Sequence, residues 1–255
     1  MARPETVSHA VILAAQMGPR LRGVAGGTPK GFLRLGGRPI VHWSVNKLIS
    51  VGIERIVIVT GYGAEAYETL SRNWSCIETV RDAEYADAGS MHSLYCARDL
   101  VEAPFLVLES DLVYELRALE GLLGSGAESA VLVAQPSEDG DGCVYVEVAG
   151  GRVQGMSHER PAPERLGGEF AGICKMSQRM FAAMRAFAEP MFRERFYQLD
   201  YEDCVGRVAE SVEIYPCEVE GLLWSRLDSS ERVARATNRV FPQIWARDGG
   251  LSGVT

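Results

Sequence analysis

Short apolar or β-branched runs alternate with segments of helical spacing through the first half of the chain, and this alternation restricts the fold more than any other feature. His9 to Ala15 is an apolar run, Ile40 to Val51 has helical spacing, and Arg55 to Thr60 is β-branched and bounded by Gly52 and Gly61. Ala64 to Asn73 then reads as helix, Cys76 to Val80 as strand, Ser90 to Asp99 as helix, Pro104 to Glu109 as a buried strand, and Leu116 to Leu123 as helix. Strands that alternate with helices predict an α/β fold with a mostly parallel central sheet flanked by helices.

From Ala130 the texture changes. Ala130 to Ala134 is a strand, and Cys143 to Val148 and Arg152 to Met156, joined through Ala149-Gly150-Gly151, predict a hairpin with a glycine turn. The expectation is a small antiparallel annex, about 135–175, within a single domain of 1–247, followed by a flexible tail of 248–255. Pro161 to Gly168 reads as a polar loop, Phe170 to Met176 as strand, Gln178 to Ala188 and Leu199 to Ser211 as helices, and Val212 to Val219 as strand. Ser229 to Asn238 is a helix with Asp228-Ser229 as its cap.

At 47% hydrophobic residues, a chain of 255 can fill a sizeable core without cross-links. The formal net charge of -8 argues against a nucleic-acid surface, which needs clustered Lys and Arg to displace counterions. No apolar run approaches the roughly 20 residues needed to cross a bilayer, and Met1 to His9 holds no signal core, so a cytoplasmic protein with no membrane partner is expected. Cys76, Cys96, Cys143, Cys174, Cys204 and Cys217 form no paired metal-type spacing and read as small core residues.

Ligands of an open parallel sheet bind beyond the carboxyl ends of its strands. Three features fall there: the loop Ile12-Leu-Ala-Ala-Gln-Met-Gly-Pro-Arg-Leu21, Asp82 after Val80, and Asp111 after Leu108-Glu-Ser. Backbone amides of the loop suit phosphate, with Arg20 and Lys30 adding charge, although an ordinary turn with solvated basic residues has the same spelling. The loop is neither a dinucleotide fingerprint, with only Gly18 before Gly23, nor a Walker loop, because Pro29-Lys30-Gly31-Phe32 brings no hydroxyl for a metal.

Asp111 is a candidate magnesium ligand or a turn cap, and Asp228 is a second ligand or a helix cap. His9, His42, His92 and His158 form no cluster, and Asp200 to Asp203 is either a solvated acidic face or part of a cleft. No nucleophile elbow is present.

Taken in order, Leu13 to Leu21, Pro29 to Leu33, Gly36 to Ile40 and Val59 to Tyr62 resemble the signature of sugar-nucleotide pyrophosphorylase-type nucleotidyltransferases. Gly89 to Leu94, Leu108 to Glu115, Asp200 to Asp203 and Leu223 to Asp228 are similar to the cytidylyltransferases for phosphocholine and 2-aminoethylphosphonate. The likeness spans roughly residues 9 to 242.

It implies a Rossmann-like sheet with an acceptor-side insertion and CTP as donor. It further implies Mg2+ as cofactor and in-line attack of a phosphonate or phosphate oxygen on the α-phosphorus, with loss of pyrophosphate. By the resemblance, Lys30, Arg20 and Asp111 are catalytic, and Asp111 and Asp228 hold the metal. Leu13, Ala14, Ala15, Gln16, Gly18, Asp82 and Ser90 line the nucleotide, and Glu169, Asp203 and Arg226 meet the acceptor. A homodimer is compatible with this reading.

Three positions depart from the family's pattern. Gln16 stands where the family has Gly, and Pro19 stands where it has Ser or Thr, which removes a hydroxyl and an N–H. Arg226 stands where this subgroup tends to have Glu, a change of two charge units toward positive. A guanidinium there suits an anionic acceptor such as phosphonoformate, in phosphonate natural-product biosynthesis. The alternatives are 2-aminoethylphosphonate or phosphocholine as acceptor with Arg226 at the surface, and a non-catalytic nucleotide-binding protein.

Overall fold

The computed structural model describes residues 6–18, 27–101, 104–136 and 142–250. Pro19 and Arg20, with the roles expected of them, therefore lie outside the described residues.

The chain starts with β1 (His9–Ala14), two short strands β2 (Arg34–Leu35) and β3 (Arg38–Pro39), and α1 (Ile40–Ser50). It continues with β4 (Arg55–Thr60), α2 (Ala64–Asn73), β5 (Ile77–Arg81), α3 (Ser90–Cys96), β6 (Phe105–Glu109), β7 (Leu112–Tyr114) and α4 (Arg117–Gly124). Four strands follow, or precede a helix pair: β8 (Ala130–Ala134), β9 (Tyr145–Ala149), β10 (Arg152–Ser157) and β11 (Leu166–Met176), then α5 (Gln178–Arg193) and α6 (Tyr201–Val208). The chain closes with β12 (Tyr215–Glu218), β13 (Trp224–Arg226), α7 (Ser230–Arg235) and α8 (Phe241–Arg247).

β1 runs parallel to β4 on one side, His9 opposite Arg55, and to β6 on the other, His9 opposite Phe105. The chain steps outward from β1 to β4 and β5, then returns across β1 to lay down β6. The strand order therefore reverses between β1 and β6, and the crevice beyond their carboxyl ends is where such a sheet accepts a ligand.

Alternation along these strands divides the core. Val11, Leu13, Val57 and Val59 face Met91, Phe181 and Tyr201 on one side, while Ala10, Ile12, Ile56 and Ile58 face Val45, Tyr67 and Leu119 on the other. Apolar residues on both faces produce the continuous runs seen in the sequence.

The predicted hairpin is present and turns at Gly150 and Gly151, with φ of 58° and 75°, values that favour glycine. It is joined to the central sheet through β11, which is antiparallel to β6, β8 and β9.

Several boundaries differ from expectation. β11 begins at Leu166, inside the stretch read as loop, because Leu166 to Glu169 pair with β9. α5 passes Ala188 and Pro190 to reach Arg193, carried by Phe187, Met191 and Phe192 against the core. β7 and β13 pair antiparallel and were not legible as strands, each being only three residues long.

Asp248, assigned to the flexible tail, is fixed: Lys47 Nζ lies 2.7 Å from its Oδ2, and Leu116 N donates to it at 3.1 Å. The Lys47 side chain is only 5% exposed, and a buried ammonium needs a counter-charge. Among the described residues, no helix is long and apolar enough to cross a membrane.

Candidate active site

A cleft of about 320 Å³ opens at the carboxyl ends of β1 and β6. Its floor is the turn after β1, where Leu13, Ala15, Gln16, Met17 and Gly18 line the cavity. Tyr62 N donates to Ala15 O at 2.8 Å and Ser110 N to Leu13 O at 3.0 Å, so neighbouring strand ends fix the turn from both sides. Ala14 points the other way, into the opposite core face. That corrects the expectation for Ala14, since a β-strand turns alternate side chains to opposite faces.

Two opposed groups sit at the centre. Lys30 opens a short 3-10 turn (Lys30–Phe32), and its Nζ donates to Asp111 Oδ2 at 3.0 Å. Gly31 is needed there, because a Cβ at that position would lie 2.6 Å from the Tyr67 hydroxyl. Asp111 precedes β7, and Leu227 N donates to Asp111 O at 2.8 Å, which ties the segment leading to Asp228 against it. Asp228 also lines the cleft, and Arg232 Nη1 donates to both its carboxylate oxygens at 3.1 and 3.0 Å. Asp228 is not the helix cap: Ser229 is, accepting from Arg232 N.

The remaining wall is acidic. Ser90 accepts from Tyr201 N at 2.9 Å and donates to Asp200 Oδ1 at 3.0 Å and Glu202 Oε2 at 3.2 Å, which joins the starts of α3 and α6. Gly89 permits this, since a Cβ would come within 2.4 Å of Leu199 O. Asp200, Glu202 and Asp203 all line the cavity, with Asp200 and Asp203 exposed and Glu202 half-buried, so the acidic run is a cleft wall open to solvent.

Arg226 is not at the surface. Its side chain is 13% exposed, its Nη2 donates to Glu109 Oε1 at 3.0 Å, and its Nε lies 2.9 Å from Glu109 Oε2. The positive charge expected to receive an anionic acceptor is thus neutralised by its own neighbour.

Two further expectations are corrected. Asp82 is fully buried and does not line the cleft; it accepts from Ser93 Oγ at 2.8 Å and Glu84 N at 3.0 Å and contacts His92 Nδ1 at 2.9 Å. It follows β5, which lies beyond β4 and away from the switch point, and it anchors α3 instead. Glu169 is buried within β11, opposite Ala134 and Tyr145, and is also absent from the cavity wall.

Glu109, Ser93 and His158 line the cleft without having been given a role there, and Asp200 and Glu202, read only as members of an acidic run, line it too. Glu109 carried a signal: it stands two residues before Asp111 in an otherwise apolar run.

The charges fall into a definite pattern. Asp111 holds the Lys30 ammonium above its ordinary value, against the burial that would lower it. Burial alone would raise the Asp111 carboxyl, but Lys30 and Arg226 outweigh it and hold the group below the usual carboxylate range. Burial pushes Glu109 up, with Arg226 opposing. Burial, then the nearby Glu109, pushes the Glu202 carboxyl well above its ordinary value. Among the described residues, Glu109, Asp111, Asp200, Glu202, Asp203 and Asp228 share one small volume with Lys30 and Arg226, so carboxyl groups outnumber the basic side chains there.

A family model described as the MobA-like NTP transferase domain matches residues 10–195. The chain is 32% identical over 107 residues to a 2-aminoethylphosphonate cytidylyltransferase of Lancefieldella rimae, covering 42% of this chain and 44% of that protein. It is 31% identical over 139 residues to a CMP-5'-(3-aminopropyl)phosphonate synthase of Streptomyces rubellomurinus, covering 53% of this chain and 22% of that protein. The alignments thus span less than half the length of both relatives. The inositol-1-phosphate CTP transferase from T. maritima has the same fold, with a TM-score of 0.82, 19% identity, and coverage of 99% of this chain and 100% of that one.

Proposed function

The chain belongs to the MobA-like NTP transferase family, and from that premise we propose that it transfers CMP from CTP to the phosphonate or phosphate oxygen of a small acceptor that also carries a cationic amine, releasing pyrophosphate. The observation that carries the reading is the Lys30–Asp111 pair at the β1/β6 switch point, facing an acid-rich wall. Relatives named for aminophosphonate substrates support it.

The residues fit Mg2+. Asp111 is held ionised, Asp228 lines the same cavity, and Mg2+ is commonly bound by one or two carboxylates together with substrate phosphates. When bound, the ion supplies charge neutralisation and a template for the triphosphate.

The chain's own groups do the rest. Amides of the turn after Ala15 meet phosphate oxygens, and Gln16, exposed on that turn, faces the ligand. Lys30 exchanges Asp111 for a triphosphate oxygen and stabilises the charge that builds on the departing pyrophosphate. No protein base is needed, because the attacking oxygen is already anionic; positioning and charge carry the rate.

The acceptor's cationic end is assigned to the wall that carries Asp200 and Asp203, beside the more deeply set Glu202. This reading replaces the carboxylated acceptor suggested by Arg226, because Glu109 occupies that guanidinium. Pyrophosphate release from CTP and Mg2+ is the test. Faster turnover with 2-aminoethylphosphonate than with phosphonoformate is expected; the reverse order would restore the anionic acceptor, and no release with any acceptor would favour a non-catalytic nucleotide binder.

A further inference from the structure

Both carboxylates assigned to Mg2+ are already held by cationic side chains of the chain itself. Lys30 Nζ is 3.0 Å from Asp111 Oδ2, and Arg232 Nη1 reaches both oxygens of Asp228. The two pairs differ in what can release them. Lys30 lines the cleft and its side chain is 21% exposed, so an incoming triphosphate offers it new oxygens. Arg232 does not line the cleft, and its side chain is 9% exposed. It stands four residues after Asp228, and its backbone N–H donates to the Ser229 cap at 3.3 Å, so helix α7 holds it in place.

An ion competing for such a carboxylate must displace a partner that is also poorly hydrated. Breaking a buried pair is costly because it strands a charge. The apparent metal affinity falls in proportion to the fraction of carboxylate left unheld. If each pair is formed for 90–99% of the time, the loss is about 10- to 100-fold per carboxylate.

We infer that Arg232 is a positioning residue that withholds Asp228 from divalent metal in the free protein, so that the ion enters only together with the nucleotide triphosphate. The inference rests on the metal assignment made under the proposed function. The triphosphate draws Lys30 from Asp111 and brings the ion's phosphate ligands with it. Only then does the ion have enough oxygen partners to share Asp228 with Arg232. The acid-rich cleft thus avoids filling with a divalent ion before the nucleotide arrives.

The test is Mn2+ binding to the full chain without nucleotide, read from the electron paramagnetic resonance signal of free Mn2+. Arg232→Gln is expected to bind one Mn2+ at least tenfold more tightly than the unaltered protein, and adding Asp228→Asn is expected to abolish the gain. Arg232→Lys, which retains a charge but a single contact, is expected to give a smaller gain and serves if the Gln variant does not fold. Equal Mn2+ affinity in the unaltered protein and the folded variants would overturn the inference, as would a gain that survives Asp228→Asn. Protection by CTP against thermal unfolding in the presence of EDTA reports on the nucleotide site separately. Failure of that protection, with no pyrophosphate release, would remove the proposed function, whereas the Mn2+ comparison addresses Arg232 alone.

Discussion

Asp111 and Glu115 bracket the same three-residue strand, β7, and are treated in opposite ways. Behind the strand, Glu115 is saturated: Arg117 Nη2 donates at 2.9 Å, Arg247 Nη1 at 3.0 Å and Leu223 N at 2.8 Å. Beside it Lys47 contacts Asp248 and Tyr114 O. In front, among the described residues, Asp111 has one ion-pair partner, Lys30, in a cavity where carboxyl groups outnumber basic side chains. One end of the strand is a finished electrostatic joint; the other, among the described residues, has a single ion-pair partner and opens on the cleft.

The largest separation between the two ends should come from Lys30. Lys30→Ala is expected to lower kcat by about 10²–10³-fold, the scale of losing one charge-stabilising donor. Its melting temperature should stay within a few degrees of the unaltered protein, and near-normal turnover would remove Lys30 from the chemistry.

Glu115→Gln should do the converse. It strands partly exposed arginines and removes the charged acceptor of the Leu223 N–H, for an expected cost of about 2 kcal/mol in denaturant unfolding, below the range for fully buried pairs. The folded fraction should keep its kcat/KM within about twofold, and a hundredfold loss there would show that the two ends are not separable.

Glu202 sharpens the comparison through pH. Its folded pKa is raised, so between the unfolded and folded values the native state holds the proton more strongly, and stability falls as pH rises through that window. Glu202→Gln should flatten this decline, measured as denaturant midpoints from pH 5 to 8; a parallel decline in both proteins would place the titration elsewhere.

The smallest effect is expected at Gln16. Gln16→Gly should change the KM for CTP or acceptor by a few-fold, in line with losing one neutral hydrogen bond. Unchanged kinetic constants would place its amide in solvent.

The parallel strands and their order of appearance were legible because residues packed on both faces write long apolar runs. Asp111 stood out because a carboxylate at a strand end breaks such a run, whereas Lys30 and Asp228 stood out through the loop-plus-Lys spelling and the likeness to the family's motifs; the structure gathers all three at one cleft. Glu202 and Asp203 were visible only as an acidic run; nothing local reveals that α6 is laid against α3 by the Ser90 contacts. Asp82 misled because strand-end position alone does not tell a central strand from an outer one. Arg226 does line the cleft, and its charge was legible, but its pairing with Glu109, more than a hundred residues away in the chain, was not.

The most direct measurement follows CTP, Mg2+ and 2-aminoethylphosphonate with the purified protein by phosphorus NMR. The account predicts equal molar formation of pyrophosphate and a CMP-linked product containing a phosphonate–phosphate anhydride, lost in Asp111→Asn and retained in Glu115→Gln. Persistence of CTP alone across amine-bearing phosphonate and phosphate acceptors, with protein that is folded and binds CTP, would contradict it.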